Sequence, residues 1–260
     1  MTHERNRISL TALSWTLLAV VAIGAGTAAA RADDQKADPA APLKIHIISG
    51  AGEYKSEPSL RAFKEYLEHH YQVSCTASWG RDGINRLDNL EQLPSADVLL
   101  IFARRMKLDE DQMKLIRRHW EQGKPIVGIR TASHAFQKED NDFFDRKVLG
   151  NHYQGHYGNE PVKVTPVEKM KGHPVLAGVE SFTSQKLYKT GPLAEDTIVL
   201  QIGDIGKAHH PVTMVHTHNG GRMFYTSLGV PEDFQDANFR RLLTNAIFWT
   251  TRRDGKKLQR

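Results

Sequence analysis

The stretch Gly123-Lys-Pro-Ile-Val-Gly-Ile-Arg-Thr-Ala-Ser-His-Ala-Phe136 decides how the chain is read. Gly123 reads as the left-handed stop of a helix. Ile126, Val127 and Ile129 then form a short apolar strand, and the chain turns sharply at Arg130-Thr131-Ala132. That turn leaves Ser133 and His134 just past the strand's carboxyl end. In an open α/β sheet ligands sit in the crevice beyond those ends, so polar residues there are the first candidates for chemistry.

The segments before this stretch suit it. Residues 43–49 and 73–77 read as strands, and residues 96–103 are a nearly unbroken apolar run, as in a central parallel strand covered on both faces. Ser56 is placed to cap a helix in which Leu60, Phe63 and Leu67 recur at helical spacing. Asp109-Glu-Asp-Gln112 has the form of a capping box, with Leu108 and Met113 as its staple and Ile116 and Trp120 extending the apolar stripe. Strands thus alternate with helices, which predicts an α/β fold with a mostly parallel central sheet. Beyond Asp140 the pattern changes. A Gly-containing Tyr/His loop over 150–159 precedes short strand-like runs at 162–167, 186–189, 197–202, 210–216 and 222–227. Gly220-Gly221 marks a hairpin between the last two. An amphipathic helix over 238–249 closes the fold.

The chain of 260 residues carries a net charge of +5, of which Arg5, Arg7 and Arg31 against Glu4 supply +2. The remaining +3 is dispersed and accompanies no basic groove, so nucleic acid is not an expected partner. Arg5 and Arg7 precede an apolar run and then Ala30-Arg31-Ala32, a small-x-small pattern. Residues 1–32 therefore read as a signal peptide for export, with a membrane anchor as the alternative if it is not cleaved. With cleavage no stable membrane span remains. Residues 33–42 read as a linker, 43–251 as one domain, and 252–260 as a basic tail expected to fray. The single cysteine, Cys75, excludes an internal disulfide and lies in a strand, where an inert thiol is the ordinary role.

Four stretches, in this order and spacing, resemble the ThuA-like (trehalose utilisation) family of the class I glutamine amidotransferase-like superfamily. They are residues 123–136, the Tyr/His loop over 150–158, His173-Pro-Val-Leu-Ala-Gly178, and Gly221-Arg-Met-Phe-Tyr-Thr-Ser-Leu-Gly229 followed by Pro231-Glu-Asp-Phe234. The resemblance implies a flavodoxin-like three-layer αβα sandwich and an association with sugar utilisation, oxidised (keto) disaccharides included. It also exposes a departure. Glutamine-hydrolysing relatives hold a nucleophilic cysteine in the turn after the strand, and the matching position here is Arg130. A guanidinium cannot attack a carbon centre. Glutamine amidotransferase activity is therefore not expected, and ThuA-like proteins share this lack of the cysteine.

Arg130 and His134 are the candidate catalytic pair: Arg130 to orient or charge-stabilise a ligand, His134 for proton transfer or ligand donation. The competing reading gives Arg130 a structural ion pair and makes His134 a helix cap. His152, Tyr153, His156 and Tyr157 are the candidate ligand-binding residues. His152 and His156, four apart, would converge with His134 on a divalent metal if the loop folded inward, although no metal motif reinforces this. The tyrosines offer flat faces and hydroxyls to a sugar. Ordinary loop packing and hydrogen bonding are the competing readings. Asp233 and Glu53 are carboxylates available to His134 or Arg130. The expectation is an exported domain acting on a small-molecule carbohydrate or keto-sugar; the alternative is a non-catalytic carbohydrate-binding or interaction domain.

Overall fold

The computed structural model describes residues 41–258, so the expected signal peptide, almost all of the linker and the last two tail residues lie outside the described residues. Strands β1 (Leu43–Gly50), β2 (Val73–Trp79), β3 (Val98–Ala103), β4 (Ile126–Ile129), β5 (Tyr153–His156), β6 (Pro161–Pro166), β7 (Phe182–Gln185), β8 (Tyr188–Thr190), β9 (Ile198–Asp204), β10 (His209–His218) and β11 (Gly221–Thr226) follow in chain order. The helices are α1 (Ser56–His70), α2 (Glu110–Glu121), α3 (Lys138–Phe143) and α4 (Ala237–Thr250). Nine strands form one sheet in the order β2-β1-β3-β4-β11-β10-β9-β6-β7, and β5 pairs with β8 separately. The central sheet is parallel from β2 to β11, and β10, β9, β6 and β7 extend it antiparallel.

Side-chain alternation on the strands creates three layers. On β3, Val98, Leu100 and Phe102 enter one apolar cluster with Leu60, Phe63 and Leu67 of α1 and Phe239, Leu242 and Ile247 of α4. Leu99, Ile101 and Ala103 face the opposite way, onto Met113, Ile116 and Trp120 of α2 and onto Phe144 and Val148. All six β3 residues are buried, as the unbroken apolar run required. The α/β class and αβα layering expected from the sequence are therefore present.

Several local expectations are refined. Asp109 accepts a hydrogen bond from the Gln112 amide at 2.9 Å and so caps α2, and Gly123 adopts φ +64 just after that helix. Ser56 is not a cap. It is the first residue of α1, its Oγ accepting from the Ala51 amide at 2.9 Å and lying 2.8 Å from Ser49 Oγ. The β10–β11 turn is Asn219-Gly220, not Gly220-Gly221, because His218 pairs with Gly221 and both turn residues have positive φ, the type I′ signature. Beyond α4 the tail does not stand free. The Leu258 amide donates to His70 O at 3.0 Å, the Gln72 amide donates to Lys256 O at 3.0 Å, and Lys257 bridges to Tyr71.

His46 is fully buried on β1, hydrogen-bonded through Nδ1 to Thr76 Oγ1 (2.8 Å) and through Nε2 to Ser78 Oγ (3.1 Å). Burial pushes its pKa down from 6.5 to about 4. An unfolded chain takes up this proton near pH 6.5, whereas the folded one resists until about pH 4. The stability held by neutral His46 is thus present above the unfolded pKa and lost as the pH falls through the folded one. Asp145 and Asp233, raised by burial to about 6, act in the opposite sense over part of that interval. The histidine is therefore read as a difference between proteins. In His46→Gln, the fall of the thermal midpoint between pH 6.5 and 4 should be shallower than in wild type; equal slopes by calorimetry would remove the linkage.

Candidate functional site

Strand β4 ends at Ile129 with extended φ −120, and the next residue, Arg130, flips to φ +48 before a 3-10 turn runs from Arg130 to His134. A strand, one left-handed residue and a helical turn make a sharp elbow that sets the Arg130 position at the carboxyl edge of the parallel sheet. Holding a residue with a Cβ there costs about 1 kcal/mol. Neighbouring backbone comes close to it. Gly229, at φ +127, lies where a Cβ would sit 2.7 Å from Ile129 Cγ2 and 3.5 Å from Arg130 Cβ, so only glycine lets the segment after β11 pass the elbow.

The Arg130 side chain is fully buried. Its guanidinium carbon lies 4.2 Å from the Tyr54 ring centroid and 4.7 Å from that of Tyr188, so the cation is enclosed between two aromatic faces. Nη1 donates to Ser227 O at 2.8 Å and Nη2 to Lys186 O at 3.4 Å, while Nε has no hydrogen-bond partner among the described residues. The Arg130 carbonyl in turn accepts from Tyr225 OH at 2.8 Å. Behind the elbow, buried Asp233 accepts from Ser184 Oγ (2.8 Å) and from the amides of Gly229 (2.7 Å) and Val230 (3.0 Å). Neither carboxylate considered from the sequence forms an ion pair with Arg130 or His134 among the described residues. Asp233 is committed to those donors, and Glu53 lies 3.5 Å from Arg104.

His134 is half-buried, with Nδ1 3.0 Å from Ser133 Oγ. Its ring stacks on Tyr153 at 4.5 Å between centroids and 23° between planes, and Tyr153 meets Tyr188 at 4.7 Å. Burial, with the charges of Arg104, Arg105 and Arg130 next, pushes the imidazole pKa down to about 3. The ring is therefore neutral at physiological pH and offers a lone pair. It is not a helix cap, since α3 begins at Lys138 with Gln137 at the capping position.

Strand β5, which sequence reasoning left as a loop, carries Tyr153 to this place by pairing with β8 (Tyr153 opposite Thr190, His156 opposite Tyr188). Buried Asp145 fixes the start of β5 by accepting from the Tyr153 amide at 2.8 Å and from Asn151 Nδ2 at 2.7 Å. The other loop residues diverge. His156 is exposed, with Nδ1 2.8 Å from Tyr157 O and its ring 6.4 Å from that of Tyr188. His152 accepts from Arg146 Nη2 at 2.8 Å, and the Tyr157 hydroxyl lies 3.2 Å from His210 Nε2. Among the described residues no three His, Cys, Asp or Glu side chains are grouped to hold a metal ion. The structure thus brings His134 and Tyr153 together near Arg130, leaves His156 exposed at the edge, and turns His152 and Tyr157 to other partners.

Three contributors went unread in the sequence. Tyr54 follows β1, Tyr188 opens β8, and Arg104-Arg105 follow β3. Two of these lie just past the carboxyl ends of parallel strands, the signal that drew attention to Arg130, so Tyr54 and the arginine pair were within reach of the same rule. Tyr188 had no such marker. Cys75, for its part, sits on edge strand β2, half-buried, with burial pushing its thiol up to about 12.

A flavodoxin-like sandwich with a strained elbow after a central strand is an arrangement found in the class I glutamine amidotransferase-like superfamily, to which ThuA-like proteins belong. Within it the chain belongs to the ThuA family, trehalose utilisation, which matches residues 44–250. No curated protein sequence matches the chain. Among solved structures, a putative ThuA-like protein of Bacteroides uniformis superposes with a TM-score of 0.64 at 18% identity, covering 81% of this chain and 92% of that one. One of Parabacteroides merdae gives 0.63 at 14%, covering 84% and 92%. A β-galactosidase of Rahnella sp. R3 gives 0.57 at 14%, with 83% of this chain matching 32% of that larger one. At these identities the likeness is one of fold.

Arg130 is a poor stabiliser by magnitude. Its backbone strain adds to the several kcal/mol lost on desolvating a charge, and one short hydrogen bond plus two ring faces return about the same. Arg130→Met should therefore move the thermal midpoint by only a few degrees, under about 1 kcal/mol. A measured loss above about 3 kcal/mol in urea unfolding would show instead that the cation holds the fold.

Proposed function

We propose that the crevice over Arg130 binds a carbohydrate or keto-sugar and acts on it, in an exported protein without glutamine amidotransferase activity. The observation that carries this reading is the aromatic cluster His134–Tyr153–Tyr188, with centroids 4.5 Å and 4.7 Å apart, assembled at the carboxyl ends of the parallel strands. A pyranose presents apolar C–H faces to aromatic rings and hydroxyls to polar tips, which tyrosine and neutral histidine both supply. His134 accepts a hydroxyl proton or hydrogen bond from the sugar. Tyr153 lies against it as the stacking face, with His156 at the edge. Arg130 acts from below, through the rings that enclose it, on charge developing at a bound oxygen. Family membership in trehalose utilisation supports the substrate class.

The elbow supports the absence of amidotransferase chemistry in this reading. The position that would present a nucleophile holds an enclosed guanidinium, and Cys75 lies on an edge strand with its thiolate disfavoured. Export rests on the leader sequence, and among the described residues no helix is long and apolar enough to cross a membrane. A non-catalytic sugar-binding role is the second reading, favoured by the low basicity of His134.

Incubation of the purified protein with a panel of sugars and keto-disaccharides, with product detection, separates the two. The enzyme reading expects one panel member to be consumed, and His134→Ala to abolish that turnover with a nearly unchanged thermal midpoint. Ligand-dependent stabilisation with no product supports the binding reading. Unfolding of His134→Ala would make His134 structural, and neither turnover nor stabilisation by any sugar would sink both readings.

A further inference from the structure

Of the eight non-glycine residues with left-handed backbone among the described residues, four are cations in segments that meet the elbow or its ring partners: Arg130 itself, Lys55 next to Tyr54 in the chain, Arg105 whose amide donates to His134 O, and Lys186 whose carbonyl accepts from Arg130. They come from separate segments. Lys55 follows Tyr54, Arg105 lies beyond β3, Arg130 forms the elbow, and Lys186 sits between β7 and β8 with its carbonyl on Arg130. Stability alone favours glycine or asparagine at such φ values, and strained non-glycine residues concentrate where ligands are held.

The charges here are unevenly matched. Arg104 is paired twice, with Asp82 at 2.6 Å and Glu53 at 3.5 Å. Both carboxylates are turned onto that one arginine. Asp233 is held by amides behind the elbow, and Arg130 is enclosed. Arg105 is exposed, and its guanidinium makes no hydrogen bond or ion pair to a described residue; its charge nonetheless acts on both His134 and Tyr153. Lys186 Nζ lies 5.1 Å from the Tyr54 ring centroid and has no carboxylate partner among the described residues.

We propose that Arg105 and Lys186 form an anion subsite at the rim of the aromatic crevice, so that the carbohydrate taken there carries a carboxylate or phosphate group. This rests on the carbohydrate reading of the crevice and names its substrate class. The planar fork of Arg105 takes two oxygens of the anion, and Lys186 supplies a point charge from the Tyr54 side. The sugar ring then lies toward Tyr153 and His134.

The test is calorimetric titration of the full chain with glucose, glucuronate, glucose 6-phosphate and inorganic phosphate, repeated on Arg105→Gln and Lys186→Gln. A charged sugar should bind about ten-fold or more tightly than glucose, and that advantage should shrink several-fold in either variant with glucose affinity unchanged. Whichever of glucuronate and glucose 6-phosphate binds better identifies the group. Equal binding of glucose and its charged counterparts, or an advantage that survives both substitutions, overturns the subsite while leaving the carbohydrate reading intact. Inorganic phosphate bound through Arg105, with no sugar bound, upholds the anion site without its sugar; binding of no probe overturns the subsite, and the carbohydrate reading then stands or falls on the sugar and keto-disaccharide panel. Arg105→Gly provides a stability control. It should keep or raise the thermal midpoint while losing the charged-sugar advantage, and a lowered midpoint with that advantage retained counts against the subsite.

Discussion

A guanidinium buried between two tyrosine rings organises this end of the molecule. Arg130 lies 4.2 Å from the Tyr54 ring and 4.7 Å from the Tyr188 ring, and it donates to the carbonyls of Ser227 and Lys186. Those contacts tie together the segment after β1, the elbow after β4, the end of β11 and the entry to β8. A buried cation demands partners on every side because the interior cannot solvate it. Four separate segments of chain are therefore drawn to one point. Gly229 completes the arrangement by letting backbone pass against the elbow where any side chain would collide with Ile129.

Burial and charge together set the chemistry beside it. With water displaced by burial and the charges of Arg104, Arg105 and Arg130 near, His134 is held neutral. It presents an acceptor beside the rings of Tyr153 and Tyr188. The elbow's strained backbone, at φ +48, carries an enclosed guanidinium at the carboxyl end of a central strand. One fold hosts unrelated activities by changing the side chains at such a place. The β-galactosidase of Rahnella sp. R3 contains a comparable fold within about a third of its own, longer chain, so the sandwich also occurs as part of larger proteins.

Legibility of the fold in the sequence varied with how local its cause was. The six apolar residues of β3 announced a strand covered on both faces, and Asp109 and Gly123 marked the two ends of α2 through capping rules that act within a few residues. The elbow at Arg130 was equally readable. Strand β5 was not, because Gly155, at φ +112, broke the pattern, and its pairing with β8 depends on residues more than thirty positions away. His152 and His156, four apart, left open a metal centre with His134 if the loop converged them; the loop instead places His152 on Arg146.

What the sequence determined by itself was the alternation of strand and helix, the apolar faces that make three layers, and the sharp turn that puts Arg130 and His134 at the end of a strand. Each follows from interactions among near neighbours in the chain or from residue chemistry alone. Only the tertiary structure decided that Arg130 would be enclosed by Tyr54 and Tyr188, and that Tyr153 and not Tyr157 would lie on His134. Those outcomes depend on satisfying one desolvated charge with groups from distant segments, a condition that local sequence rules do not contain.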